Sequence, residues 1–226
     1  MRTGRLAAML TPRVAALVAC AAALAACSSA GHGPADIARV ADVKTQFGPE
    51  FQVKTVAPTG VDPKLLSGQP MPAGVKVDPP DCAKFANGIT VPPGLQGNMA
   101  ATTAEGNGNR FIAIAVETSE PIPMTDPGPG CQKVGYDGQG VRGQIEVVES
   151  PKIDGAQVLG THRVVQTAVP GGPPRIGELF NYVASFDTFL VVVTANPLVL
   201  PDKPPVAVDT QKARDLLVAA VAAVRG

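Results

Sequence analysis

The chain predicts an α+β domain: an antiparallel sheet of about six strands covered by a C-terminal helix, with one disulfide. Three observations carry this expectation. Short runs of alternating apolar and polar residues recur along the 226 residues, separated by turns rich in Gly and Pro. The last apolar segment changes to a helical period. Two cysteines, Cys82 and Cys131, remain once an N-terminal export segment is set aside.

The elements follow in order. Val40, Val43 and Phe47 recur at near-helical spacing, and Gly48-Pro49 ends that short helix. Phe51 to Val56 alternates as a strand does. Residues 57–80 are broken by Pro58, Pro63, Pro70, Pro72, Pro79 and Pro80, so they predict an irregular loop with one helical turn near Lys64-Leu65-Leu66. Asp81 is placed to cap a short helix through Phe85, with Gly88 beyond its end. Met99–Glu105 and Arg110–Thr118 flank Gly106-Asn107-Gly108-Asn109, a hairpin signal. In the second arm Ile112, Ile114 and Val116 share one face. Ala113 and Ala115 leave the other face shallow, which lets a helix pack closely. After the loop Pro121–Pro129, Val141, Ile145 and Val147 alternate with Arg142, Gln144 and Glu146, a strand with one wet face. Thr161–Val169 is another strand, closed by the turn Pro170–Pro174. Leu179–Phe186 and Phe189–Ala195 form a hairpin around Asp187-Thr188. Leu217, Ala220, Val221 and Val224 mark one stripe of the C-terminal helix, and Asp209 is its cap.

The N-terminus predicts where the protein works. Arg2, Arg5 and Arg13 precede an apolar run over 14–26, and no acidic residue occurs before Asp36. That is the layout of a bacterial export signal. The run is shorter than the ~20 residues needed to span hydrocarbon. It closes on Leu24-Ala25-Ala26-Cys27, which matches the lipobox of bacterial lipoproteins. In such proteins the Cys27 sulfur would receive a diacylglyceryl group and become the new N-terminus. Two or more acyl chains, at ~0.8 kcal/mol per buried methylene, hold a globule on a membrane with no spanning helix. The expected organisation is a lipoprotein signal peptide over 1–26, an anchor and tether over 27–39, and a single α+β envelope domain over 40–226. Cys20 leaves with the signal.

Charge and composition exclude several classes. The full chain has 19 basic and 19 acidic residues. Without the three signal arginines it is weakly acidic, which leaves no electrostatic footprint for nucleic acid. The Cys82/Cys131 pair of an exported chain is expected to be a disulfide; two free thiols or a metal pair are the alternatives. A metal site would have only His32 and His162 as imidazole ligands, with no CxxC. No metal and no cofactor are expected. Gly138-Gln139-Gly140-Val141-Arg142-Gly143 is formally GxGxxG, but it runs into Gln144-Ile145-Glu146-Val147-Val148, which reads as a strand and not as the required helix. It is therefore expected to be a turn between strands. Catalysis lacks its set: His162 is the one histidine of the folded part, no GxSxG occurs, and no carboxylate pair stands out. No enzyme activity is expected. Tyr182, Phe180 and Phe186 share a strand face. Such a stripe is core, or else it lines an apolar pocket beneath the terminal helix, where it would bind a ligand.

The segments Val43-Lys44-Thr45-Gln46-Phe47-Gly48-Pro49-Glu50-Phe51 and Pro80-Asp81-Cys82-Ala83-Lys84-Phe85 resemble mycobacterial lipoproteins of an uncharacterised domain family. That family is similar to the extracellular sensor domain of the PknH-type receptor kinase. The resemblance covers most of residues 40–224. It implies a small α+β domain with a cleft, in the cell envelope, with an unknown ligand. The sensor domain is held by two disulfides, whereas this chain can make one. With no kinase and no spanning helix, signalling does not carry over, and no catalytic residues come with the family.

The expected function is a non-catalytic, sensor-like binding module, lipid-anchored on the extracytoplasmic face of the cell membrane. Its partners would be the membrane, through the N-terminal acyl chains, and a small or lipidic ligand or an envelope protein. The alternative is a carrier of a lipidic or other apolar molecule through the envelope. A carrier needs a sheet-lined cavity for acyl chains; a sensor needs only a polar cleft.

Overall fold

One antiparallel sheet organises the computed structural model, which describes residues 34–61, 71–199 and 203–226. The signal over 1–26, the Cys27 anchor and the turn near Lys64-Leu65-Leu66 lie outside the described residues. The strands are β1 (Gln52–Gly60), β2 (Lys76–Asp78), β3 (Gly97–Gly106), β4 (Asn109–Thr118), β5 (Lys133–Gly138), β6 (Val141–Val148), β7 (Gln157–Val169), β8 (Gly172–Phe186) and β9 (Phe189–Pro197). Their spatial order is β1-β3-β4-β9-β8-β7-β6-β5-β2. The helices are a 3-10 helix (Ile37–Gln46), the short α1 (Ala83–Ala86) and the C-terminal α2 (Thr210–Arg225).

The sheet thus has nine strands among the described residues, not about six. β2 is three residues long, and β5 alternates only Val134 and Tyr136 against Gly and charge, so neither has a hydrophobic pattern to read. Strand β8 begins at Gly172, within the stretch expected to be only a turn, and β7 begins at Gln157. The hairpins themselves fall where expected. Asn107 and Gly108 take positive φ between β3 and β4, as do Gln139 and Gly140 between β5 and β6. The formal GxGxxG is therefore a hairpin turn, with no helix after it.

Helix α2 and the 3-10 helix cover one face of the sheet. The shallow face of β4, with Ala113 and Ala115, admits them as expected: Leu216, Leu217, Ala220, Val221 and Val224 pack with Ala113, Ala115, Tyr182, Val191 and Val193 in one buried cluster. Each buried Leu or Val there contributes roughly 1.5–3 kcal/mol. The 3-10 period explains its buried side: Ile37, Val40 and Val43, three apart, stack on one face. Thr102 Oγ1 donates to the Val40 carbonyl at 2.9 Å and pins that helix to β3. Asp209 caps α2 by accepting from Lys212 N at 2.9 Å, and Asn109 Oδ1 accepts from Asp209 N at 2.8 Å, which sets the helix start against the β3–β4 turn. Asp81, in contrast, makes no capping hydrogen bond: it lies inside a 3-10 turn, Pro80–Cys82, that runs directly into α1.

On the opposite face, Cys82, Phe85 and Ala86 bury Val134, Tyr136 and Ile145. The expected disulfide is present. Cys82 and Cys131 bond with Cα atoms 5.6 Å apart, tying the α1 segment to the start of β5. A second small cluster gathers Val116, Val183 and Leu190 with Met99 on the neighbouring strand, and Ile89 and Met124 pack against it. Between these two clusters the sheet face is open.

Candidate functional groove

The opening is a groove of about 410 Å³, within the range of small-ligand sites. Its floor is the sheet face of β4, β9, β8, β7 and β6. Its walls are the α1 end (Phe85, Asn87, Gly88, Ile89) and Met124-Thr125. The strand register arranges the floor in rows. Leu159, Val183, Val192 and Ile114 are cross-strand neighbours and form an apolar row. One step along the strands, Thr161, Asn181 and Thr194 form a polar row. One step further, Arg163 lies between Ile145 and Leu179.

Arg163 is the charged member of the lining. Its Nη2 donates to the Ala86 carbonyl at the end of α1, at 3.2 Å. Beside it, burial pushes the Tyr136 phenol up, and the Arg163 charge pulls it partly back. Tyr136 Oη donates to the Val164 carbonyl at 3.3 Å. Thr161 Oγ1 turns to the Asn181 carbonyl at 3.5 Å.

The aromatic stripe lies elsewhere. Phe180, Tyr182 and Phe186 do share a face, but it is the face beneath α2, and the groove is lined by their alternates Leu179, Asn181 and Val183. Tyr182 is wholly buried, and the space under the helix is filled by core, so the stripe packs rather than lines a cavity. His162 stacks on Phe180 at 4.1 Å, and its Nε2 pairs with Glu178 Oε1 at 2.9 Å. It is a hydrogen-bonded strand histidine facing away from the groove. The carboxylates of two hairpins pair across their strands, Glu105 with Arg110 at 2.7 Å and Asp137 with Arg142 at 3.4 Å. Among the described residues, no three His, Cys, Asp or Glu side chains are grouped to hold a metal.

The groove has no continuous signature in the sequence, because its lining comes from seven separate segments. One signal was legible: on β7, Leu159, Thr161, Arg163 and Val165 alternate on the face opposite His162, which puts a guanidinium on a largely apolar face.

Fold and groove define a class: an α+β domain with a single antiparallel sheet, helix-covered on one face and grooved on the other. The chain belongs to the family described as a domain of unknown function (DUF5642), whose model matches residues 36–225. It is similar to an uncharacterized protein of Mycobacterium smegmatis, an Rv0999 ortholog solved by X-ray crystallography. The identity is 65% and the TM-score 0.80, over 86% of this chain and 100% of that one. The extracellular domain of PknH from Mycobacterium tuberculosis matches at 14% identity and TM-score 0.36, over 86% of this chain and 98% of that one. That likeness is too remote to carry a residue or a role across. No curated protein matches the chain.

Proposed function

We propose that this protein is a non-catalytic binding module of the cell envelope, lipid-anchored at Cys27 on the extracytoplasmic face, which takes a small or lipidic molecule in its groove. The groove carries the reading. Ile114, Leu159 and Val192 line it and stay only partly buried, whereas Val116 and Val183 at its edge are buried core. Open apolar surface with a few convergent polar groups is the usual form of a ligand site. Among the described residues Arg163 is the one charged group of the lining, and no acid–base pair stands there. The export signal with its lipobox supports the location, and a disulfide belongs to an oxidising compartment. The apolar floor also favours a second reading, the carrier, which differs in releasing its load to another membrane.

The test is native mass spectrometry of the full chain purified from its own membranes, with a Val192→Trp variant that fills the floor. The expected result is a polypeptide that begins at Cys27 with acyl mass and holds one non-covalent small or lipidic molecule. Occupancy should fall about tenfold or more in the variant, ~1.4 kcal/mol of binding. A chain starting elsewhere without acyl mass overturns the anchor. A bare protein, or equal occupancy in both proteins, overturns the groove.

A further inference from the structure

We infer that the groove is built for a single-chain amphiphile with an oxyanion head, the head held by Arg163 and the chain laid along the floor. The inference rests on the groove being the ligand site. It goes further by stating which chemistry the ligand has and which end lies where.

The register makes the floor directional. From the Ile114-Val192-Val183-Leu159 row the strands lead through Thr194, Asn181 and Thr161 to Arg163. An apolar end, a hydroxyl-and-amide middle and a cationic end follow one another along a single axis. A uniformly apolar guest would leave the polar row and the guanidinium facing hydrocarbon, which is unfavourable for each unpaired group. A uniformly polar guest would wet the apolar row. Only a guest with an apolar tail and a polar, anionic head satisfies both ends.

Arg163 is otherwise underused. A guanidinium has five N–H donors in a fixed fork suited to carboxylate and phosphate. In this structure Ala86 O accepts from Nη2. The ion pairs of arginine among the described residues are Arg110–Glu105 and Arg142–Asp137, and neither includes Arg163. Arg163 is half-buried between Ile145 and Leu179. A cation set into a largely apolar lining, with no carboxylate partner among the described residues, is complementary to an anion brought by the ligand.

The experiment is isothermal titration calorimetry on the full chain with three probes of equal chain length: dodecanoate, dodecyl phosphate and dodecanol, each below its aggregation concentration. The wild type is expected to bind at least one of the two anions about tenfold or more tighter than dodecanol. The stronger of the two tells carboxylate from phosphate recognition. Arg163→Gln should abolish that preference, bringing both anions to the affinity of dodecanol measured on the same variant, and Arg163→Lys should keep part of it. Thermal melting of both variants checks that the Ala86 contact is not needed for folding, and the lysine variant keeps the test valid if the glutamine variant melts early. Equal binding of all three probes to the wild type, with binding lost in Val192→Trp, overturns the role of Arg163 but leaves the groove standing. A preference that survives in Arg163→Gln overturns it too. No binding of any probe overturns the groove and this inference together.

Discussion

The two tyrosines of the chain each lie across a glycine on the neighbouring strand, Tyr136 over Gly143 and Tyr182 over Gly160. A Cβ at Gly160 would stand 3.1 Å from the Tyr182 ring, and one at Gly143 would meet the Tyr136 ring and the Val164 carbonyl. These glycines let a ring approach the sheet. Tyr182 gains its packing at a loss: its Oη is buried without a hydrogen bond. Burial pushes this phenol up, and the nearby Arg214 guanidinium draws it partly back. Tyr182→Phe should therefore keep or raise stability, by about 1 kcal/mol in urea unfolding, since an unsatisfied buried hydroxyl costs roughly 1–3 kcal/mol. The pH dependence has a definite sign. Above pH ~10 the unfolded chain releases its phenol protons before the folded one, so wild-type stability falls as pH rises. The gap to Tyr182→Phe should widen over that range; a constant gap would contradict the buried phenol. The aromatic stripe is visible in the sequence as a stripe. Which face of β8 it occupies depends on where α2 docks, and a strand's own pattern does not contain that.

At the scale of elements, the disulfide governs the wall of the groove. It closes a loop with a sequence separation of 49 and holds the α1 segment, whose Phe85 and Ala86 close the cluster beside Arg163. Replacing both Cys82 and Cys131 by Ala should lower stability by about 4 kcal/mol on the chain-entropy account. Amide hydrogen exchange should locate the loosening at residues 80–89 and β5. Loosening spread evenly over α2 and β9 would contradict this division of labour. Edge strands are guarded as well. β1 is exposed along most of its length, but Lys54 and Pro58, the latter at a register shift between Val56 and Thr59, oppose further pairing. Legibility varied with local chemistry. Asn107-Gly108 and Asp187-Thr188 announce their hairpins because those residues tolerate the required backbone. β2 and β5 are silent because they take their place from Val77, Val134 and Tyr136 packing on the disulfide-held cap, a long-range event.

The whole molecule is asymmetric about its sheet. One face is closed by α2 and the 3-10 helix. The other carries two small clusters with the groove between them. The closed face was legible, because Ala113, Ala115 and the stripe Leu217, Ala220, Val221, Val224 are complementary in the sequence itself. The groove was not. Its lining joins residues as far apart as Phe85 and Thr194, brought together by a strand order that sets β4 beside β9 and β9 beside β8. The central claim is that this open face, and not the helix-covered one, is where the protein meets its ligand. Photo-crosslinking with a dodecanoate that carries a diazirine at its chain end tests it most directly. Adducts are expected on Ile114, Val183 or Val192, and unlabelled dodecanoate should compete them away. Adducts on α2, or labelling that competition does not reduce, would contradict it.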